Sequence, residues 1–233
     1  MTHLVWYPPD NAHILLSDGG LTATPTVYST PNRIVRATVG KKGGGKWYFE
    51  CHLHSGYPWN PIVGVGLSTI PFLLNITIGG GNSETAESAI GLYASGQLFT
   101  HPAHSANSSP FYLSEGFTDA VIGVAYDLAA HKIWFSVNGV WVGGGVPGGA
   151  ATPAWAGLDP LVAYYPVADC EGTSNGGPVT AHFSAASFVY TPPPGFLSIE
   201  NSAFDSGGDA QTYAQVAGRI AECLRVRMKE NWL

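Results

Sequence analysis

The chain has 233 residues, and only 11% of them are Asp, Glu, Lys or Arg, less than half the ~25% of an average globular domain. The formal net charge is −6, and between Trp47 and Gly218 the sequence has a single Lys or Arg, Lys132. A groove that follows nucleic-acid phosphates needs several cations on one face, so nucleic acid is excluded as the main partner. We also expect no membrane insertion and no secretory signal, because no stretch approaches ~18 consecutive apolar residues and the first residues lack a basic region followed by an apolar one.

The first clear strand pattern runs from Trp47 to His54. Its apolar side chains stand at alternate positions: Trp47, Phe49, Cys51 and Leu53. Period two predicts a half-buried strand with this face in the core. Glu50, His52 and His54 share the opposite face, and two imidazoles with a carboxylate suit zinc or iron. A half-solvated strand needs a polar outer side in any case, so we interpret the three as that side and expect no metal or other cofactor.

Long segments between the predicted strands carry aromatic side chains among turn-forming residues. The candidates for ligand binding are Tyr57, Trp59, Phe111, Tyr112 and Trp155. Aromatic side chains on loops give a large contact area at low entropic cost, which favours a binding surface. The alternative for each of them is a lid over the core, since large aromatic side chains are usually buried.

The segment from Val121 to Trp141 predicts two antiparallel strands and the start of a third. Ile122, Val124 and Tyr126 alternate with smaller or polar residues, and the same period follows from Lys132 to Val137. Asn138 and Gly139 supply the two positive-φ positions of a type I′ hairpin. This segment excludes a helical or alternating α/β scaffold. Trp134 points away from Phe135, and we expect it in a second layer or an exposed patch.

The composition changes after residue 197. Residues 198–209 (SIENSAFDSGGD) predict a linker, because they combine turn-forming and polar residues without a sustained apolar period. Residues 210–233 then show an apolar stripe at helical spacing and predict an amphipathic α-helix. This helix packs either on its own domain or on a neighbouring subunit. An apolar run at residues 70–74 is the other candidate for a subunit contact. The assembly candidates are Phe72, Leu73, Leu74, Tyr213, Ile220 and Leu224.

Several segments in the same order resemble the SPRY family, in particular its bacterial and phage branch. They are HILLSDGGLTAT at 13–24, RATVGK at 36–41, GKWYFE at 45–50, VGVGL at 63–67, the segment 121–141, YPV at 165–167 and PPGF at 193–196. The resemblance covers most of residues 1–197 and implies an all-β fold, a bent antiparallel β-sandwich of two sheets. It also implies recognition of other molecules and no enzymatic activity.

The resemblance to the phage branch predicts a structural or receptor-binding component of a phage virion or tail. Its expected partners are other virion or tail proteins, a host surface protein or a glycan. Parts of this kind are commonly symmetric homo-oligomers. One alternative is a cytoplasmic adaptor that binds a short peptide of a partner protein, and another is a carbohydrate-binding module. The sequence contains no nucleophile elbow and no recognisable catalytic cysteine, which argues for a non-enzymatic protein.

Overall fold

A computed structural model describes residues 4–7, 13–26, 34–54, 62–67, 89–93, 98–100, 119–170 and 177–201. Within these ranges the chain forms β-strands and one short 3-10 turn at Asp18–Gly20, and it forms no α-helix. None of the described residues belongs to a helix long and apolar enough to cross a membrane. The all-β prediction is therefore confirmed for the part of the chain that the structure describes.

The described strands are numbered in chain order. They are β1 (Ile14–Ser17), β2 (Thr22–Pro25), β3 (Ile34–Arg36), β4 (Lys46–Leu53), β5 (Ile62–Leu67), β6 (Ala89–Tyr93), β7 (Leu98–Thr100), β8 (Ala120–Asp127), β9 (Lys132–Val137), β10 (Val140–Trp141), β11 (Trp155–Ala156), β12 (Tyr164–Asp169), β13 (Val179–His182) and β14 (Leu197–Ser198).

Two sheets face one another. The larger has the order β1-β2-β13-β4-β8-β9-β10, with β11 pairing with β9 and β14 pairing with β4. The smaller has the order β3-β12-β5-β6-β7. Neighbouring strands are antiparallel, apart from β14, which runs parallel to β4. The predicted two-sheet antiparallel sandwich is confirmed.

The core lies between the sheets and takes one face of each strand. Trp47, Phe49, Cys51 and Leu53 of β4 are all within it, as the alternation predicts. Ile122, Val124 and Tyr126 of β8 face the same layer, opposite Val63 and Val65 of the smaller sheet. Because period two sends these side chains to one side, the opposite sides of β4 and β8 form the outer face of the larger sheet.

The hairpin predicted at Asn138 and Gly139 is present. Both residues have positive φ, 48° and 77°, and β9 and β10 pair on either side of them. The Asn138 side chain also accepts a hydrogen bond from the backbone N–H of Val121 at 2.9 Å, which ties the turn to β8. The prediction of half-buried strands needs correction here, because every residue of β8 is buried.

A second apolar layer covers part of the outer face and is the reason for that burial. It consists of the buried side chains Tyr48, Ala125, Trp134, Ala151 and Phe196, with Trp141 and Phe188 packed against them. Trp134 therefore fills a second layer, one of the two positions expected for it. The chain after β13 supplies this cover, since Phe188 stacks edge-on against Tyr48 at 4.9 Å and Phe196 against Trp134 at 6.1 Å.

The packed part of the sandwich reaches Asn201. Ser198 pairs with Tyr48, and Ile199 is fully buried in the core. The backbone carbonyl of Asn201 accepts a hydrogen bond from the Lys41 ammonium at 3.0 Å. Residues 198–201 of the predicted linker thus contact the domain. The remainder of that linker and the predicted helix at 210–233 lie outside the described residues.

Candidate functional site

One end of the outer face is left uncovered by the second layer and gathers polar side chains from several strands. We call this group the polar corner and define it by six residues: Asp18, Thr22, His52, His54, Asp119 and Thr180. The strand register brings them together, because Thr180 of β13 lies between Thr22 of β2 and His52 of β4. His54 directly follows β4, and Asp119 directly precedes β8, its neighbour in the sheet.

A chain of hydrogen bonds crosses the corner from Asp18 to His54. The Thr22 hydroxyl donates to the Asp18 carboxylate at 2.6 Å and lies 2.8 Å from the Thr180 hydroxyl. Since the Thr22 proton is used on Asp18, the Thr180 hydroxyl donates to Thr22. The Thr180 oxygen then accepts from Nε2 of His54, 2.8 Å away. The direction of the chain therefore assigns the proton of His54 to Nε2.

The two histidines of the corner lie against each other. Their ring centroids are 4.1 Å apart, and His52 Nε2 lies 2.9 Å from Oδ1 of Asp119. Burial, and then the neighbouring His52, lower the pKa of His54 below its ordinary value. A neutral imidazole offers one donor and one acceptor, so His54 presents a lone pair on the nitrogen that does not face Thr180.

Glu50 is separated from this group, although it stands on the same face as His52. The side chain is fully buried, and its carboxylate accepts three hydrogen bonds. The donors are the Tyr48 hydroxyl at 2.7 Å and the backbone N–H groups of Val189 and Tyr190 at 2.6 and 2.9 Å. The prediction of a solvated outer side is therefore wrong at this position, because the chain after β13 covers it.

The side chains next to the buried Glu50 carboxylate have shifted pKa values. The pKa of Tyr48 is raised well above its ordinary value, first by burial and then by its hydrogen bond to Glu50. His182 lies beside Glu50 on β13, and burial lowers its pKa. Its Nε2 is buried without a hydrogen-bond partner among the described residues. Glu50 thus holds the covering segment in place and is not available to a ligand.

Of the five predicted loop aromatics, the described part of the chain includes Trp155. Tyr57, Trp59, Phe111 and Tyr112 lie outside the described residues. The segments that contain them are 55–61 and 101–118, which are flanked by His54 and Asp119 of the polar corner. Trp155 pairs with Ile133 of β9, four residues or about 13 Å along the strand from the end beside the corner. It packs partly buried against the core.

The assembly candidates also lie outside the described residues. They are Phe72, Leu73, Leu74, Tyr213, Ile220 and Leu224.

Sequence reasoning found two residues of the polar corner and missed the other four. The alternation along β4 indicated His52 and His54, because one strand places both on one face. Asp18, Thr22, Asp119 and Thr180 come from other parts of the chain, and only the strand register adds them. Asp18 and Asp119 both have positive φ, 50° and 52°, a conformation that Asp tolerates better than most residues, but no local sequence signal linked either of them to the histidines.

The corner offers hydroxyl, imidazole and carboxylate groups within a small area. Thr22 is buried and the other five residues are half-buried or exposed, with side-chain exposures of 29% for His52 and 65% for Asp119. Such groups form directional hydrogen bonds with a ligand that docks from solvent. His52, His54 and Asp119 also present ligand atoms that lie within 4.8 Å of one another, close enough to hold a metal ion.

Comparisons with known proteins identify the sandwich. A family model described as SPRY domain matches residues 46–167, which is more than half of the chain. No curated protein matches the sequence.

Solved structures match over most of the chain. The SPRY domain of human HERC1 is 18% identical with a TM-score of 0.54, over 76% of this chain and 96% of that one. The PSpry domain of TRIM65 is 15% identical with a TM-score of 0.47, over 76% and 89%. The NHR1 domain of Drosophila melanogaster neuralized is 14% identical with a TM-score of 0.45, over 77% and 98%. At these identities the HERC1 match shows the fold alone.

Proposed function

The chain belongs to the SPRY domain family, and we propose that it is a non-enzymatic recognition module that binds a partner protein at the polar corner. The family is one of protein-interaction modules, which supports recognition as the general function. The partner binds at the corner and at the segments 55–61 and 101–118, which carry Tyr57, Trp59, Phe111 and Tyr112.

The observation that carries this location is the position of His54 and Asp119. These two residues flank the two aromatic-bearing segments, 65 positions apart along the chain, and yet they lie in one cluster. Binding loops are effective when a rigid sheet holds their ends. Here one end of each segment adjoins a strand of the larger sheet, β4 for residues 55–61 and β8 for residues 101–118, and these two strands are paired neighbours.

We infer that the chain is a component of a phage virion or tail. In this setting it displays the corner towards another particle protein or a host surface protein. The support is the resemblance of residues 13–24 and 36–50 to the phage branch, and the low charge of the chain, which suits a particle surface. In this setting the chain forms a homo-oligomer, with residues 70–74 or 210–233 at the subunit contact.

The location is tested with variants at the two ends of the sheet. The full chain is screened against a random peptide library and a glycan array, and the best binder is titrated against Trp59→Ala, Tyr112→Ala and Trp155→Ala. Removing an aromatic anchor from a binding surface costs upwards of ~1–2 kcal/mol, or about ten-fold in affinity. We expect that loss for Trp59→Ala or Tyr112→Ala, and unchanged affinity for Trp155→Ala.

If Trp155→Ala weakens binding while Trp59→Ala and Tyr112→Ala do not, the site lies at the other end of the sandwich and the assignment is wrong. The screen also separates the alternatives. A tight binder from the glycan array alone would favour a carbohydrate-binding module. Selection of one short peptide motif by a monomeric protein would favour the cytoplasmic adaptor.

A further inference from the structure

We propose that the polar corner is a metal site in which His52, His54 and Asp119 bind one zinc ion. The three residues form the group of potential metal ligands that the described part of the chain brings together. Two imidazoles and a carboxylate are a ligand set that zinc accepts, with the fourth position filled by water. The zinc site shares residues with the proposed recognition surface, but it does not rest on the proposed function, since zinc binding is measured without a partner.

The separations of the ligand atoms are close to what zinc needs. Zinc binds imidazole nitrogen and carboxylate oxygen at about 2.0–2.2 Å, so ligand atoms in a tetrahedral site stand about 3.3 Å apart. His52 Nε2 and Asp119 Oδ1 are 2.9 Å apart, and one ligand atom from each of the three residues lies within 4.8 Å of the others. Small side-chain rotations would bring the three atoms to the distances that zinc needs. Zinc would then replace the proton on Nε2 of His52, and the neutral ring would carry its one proton on Nδ1.

The backbone already orients the ligands. His52 lies on β4 and His54 directly follows the strand at the alternate position, so their rings leave the same face and lie with centroids 4.1 Å apart and planes tilted by 42°. Asp119 sits at the start of β8, next to Ala120, which pairs with Leu53 beside His54. Its positive φ turns the chain at this point. The three ligands therefore come from two paired strands, and their approach does not depend on a long loop.

The hydrogen-bond chain orients the His54 ring and sets its tautomer for metal binding. The hydroxyls of Thr180 and Thr22 link the proton on Nε2 to the Asp18 carboxylate. Histidines that bind a metal usually donate their other ring N–H to a carboxylate or a similar acceptor, which fixes the tautomer and strengthens the ligand. With Nε2 so engaged, Nδ1 of His54 carries the lone pair for zinc. Thr180 is a positioning residue of this site.

Glu50 is not a ligand, although the sequence places it on the same face. Both carboxylate oxygens are engaged by the Tyr48 hydroxyl and by two backbone N–H groups of the covering segment. Asp119 supplies the carboxylate instead. Because Asp119 is largely exposed, the fourth zinc position opens towards solvent.

The test is a calorimetric titration of zinc chloride into the untagged full chain after treatment with EDTA and its removal. We expect one zinc per chain, and at least about ten-fold weaker binding for His54→Gln and Asp119→Asn. Asparagine tolerates positive φ, so Asp119→Asn keeps the backbone. His182→Gln is the matched control, because it removes a neighbouring imidazole of the same face that is outside the ligand set, and its affinity should equal that of the wild type.

Two further variants test the positioning role. Thr180→Val removes the acceptor of His54 and should weaken zinc binding, while Thr180→Ser keeps the hydroxyl and should restore it. Melting temperatures in EDTA show that each variant is folded, and zinc should raise the melting temperature of the wild type but not of His54→Gln. Absence of a one-to-one zinc isotherm for the folded wild type, or equal binding by wild type, His54→Gln and Asp119→Asn, would overturn the site.

Discussion

At the scale of single residues, the buried carboxylate of Glu50 has the largest structural role on the outer face. Its two oxygens satisfy three donors, and two of these belong to the backbone of the covering segment. A carboxylate can accept all three, whereas an amide has one accepting oxygen and would turn an N–H₂ group towards a donor. The charge at this position therefore stabilises the attachment of residues 188–190 to β4.

We expect Glu50→Gln to lower the free energy of unfolding by about 2 kcal/mol, because a buried donor loses its partner. Urea denaturation at neutral pH measures the change. Tyr48→Phe is the control, since it removes one donor and leaves both backbone bonds to Glu50, and its loss should be about 1 kcal/mol. A loss for Glu50→Gln no larger than that for Tyr48→Phe would show that the two backbone bonds contribute little.

His182 makes the stability of the fold depend on pH. Burial lowers the pKa of His182 in the folded protein, so the unfolded chain binds a proton more readily. Stability is then fully present above the unfolded value of about 6.5 and decreases as the pH falls below it. Burial lowers the pKa of His54 as well, which adds a dependence of the same sign.

Urea midpoints at pH 7.5 and pH 5.5, measured in EDTA, test this dependence. We expect the midpoint of the wild type to be lower at pH 5.5, and the difference to shrink in His182→Gln, which lacks the titrating ring. If the variant keeps the whole difference, the dependence belongs to other groups.

At the scale of elements, the packing of side chains from β4 and β9 over β8 depends on Gly123. A Cβ at this position would lie 2.4 Å from the Ser136 hydroxyl and 2.7 Å from the Tyr48 hydroxyl, which both occupy the outer face. Gly123 therefore lets polar side chains of the flanking strands reach across β8. The network that holds Glu50 needs this space.

We expect Gly123→Ala to lower the free energy of unfolding by about 2 kcal/mol, because the added methyl group overpacks the face. Gly44→Ala is the matched control, as a Cβ there meets no atom within 4 Å and the backbone is not at positive φ. Thermal or urea unfolding of both variants makes the comparison. Equal stability of the two variants would mean that Tyr48 and Ser136 move aside at no cost.

At the scale of the whole molecule, we expect residues 210–233 to mediate assembly. An isolated helix of this length is marginal in water, so its apolar stripe needs a surface to pack on. We expect the full chain to be an oligomer and the chain ending at Gly208 to be a monomer, as measured by light scattering. If both the full chain and the shortened chain are monomers, the apolar stripe packs on the surface of its own domain. That result would favour the cytoplasmic adaptor over the virion component.

Local sequence patterns were sufficient to predict the fold class and the orientation of individual strands. Period two along residues 47–53 and 121–137 assigned the core face of β4, β8 and β9, because neighbouring side chains on a strand leave opposite faces. The Asn138 and Gly139 pair fixed the hairpin for the same local reason. His52 and His54 were found together because one strand carries both.

The cover of the outer face follows from the three-dimensional packing of the chain and not from any local pattern. Local patterns distinguish the two faces of a strand, but they do not say which distant segment covers one of them. Residues 188–196 fold over the face and bury Glu50, which the strand pattern assigned to solvent. The sequence did not predict the polar corner as a group either. Asp119 and Thr180 lie beside His52 and His54 because of the register between strands that are far apart in the chain.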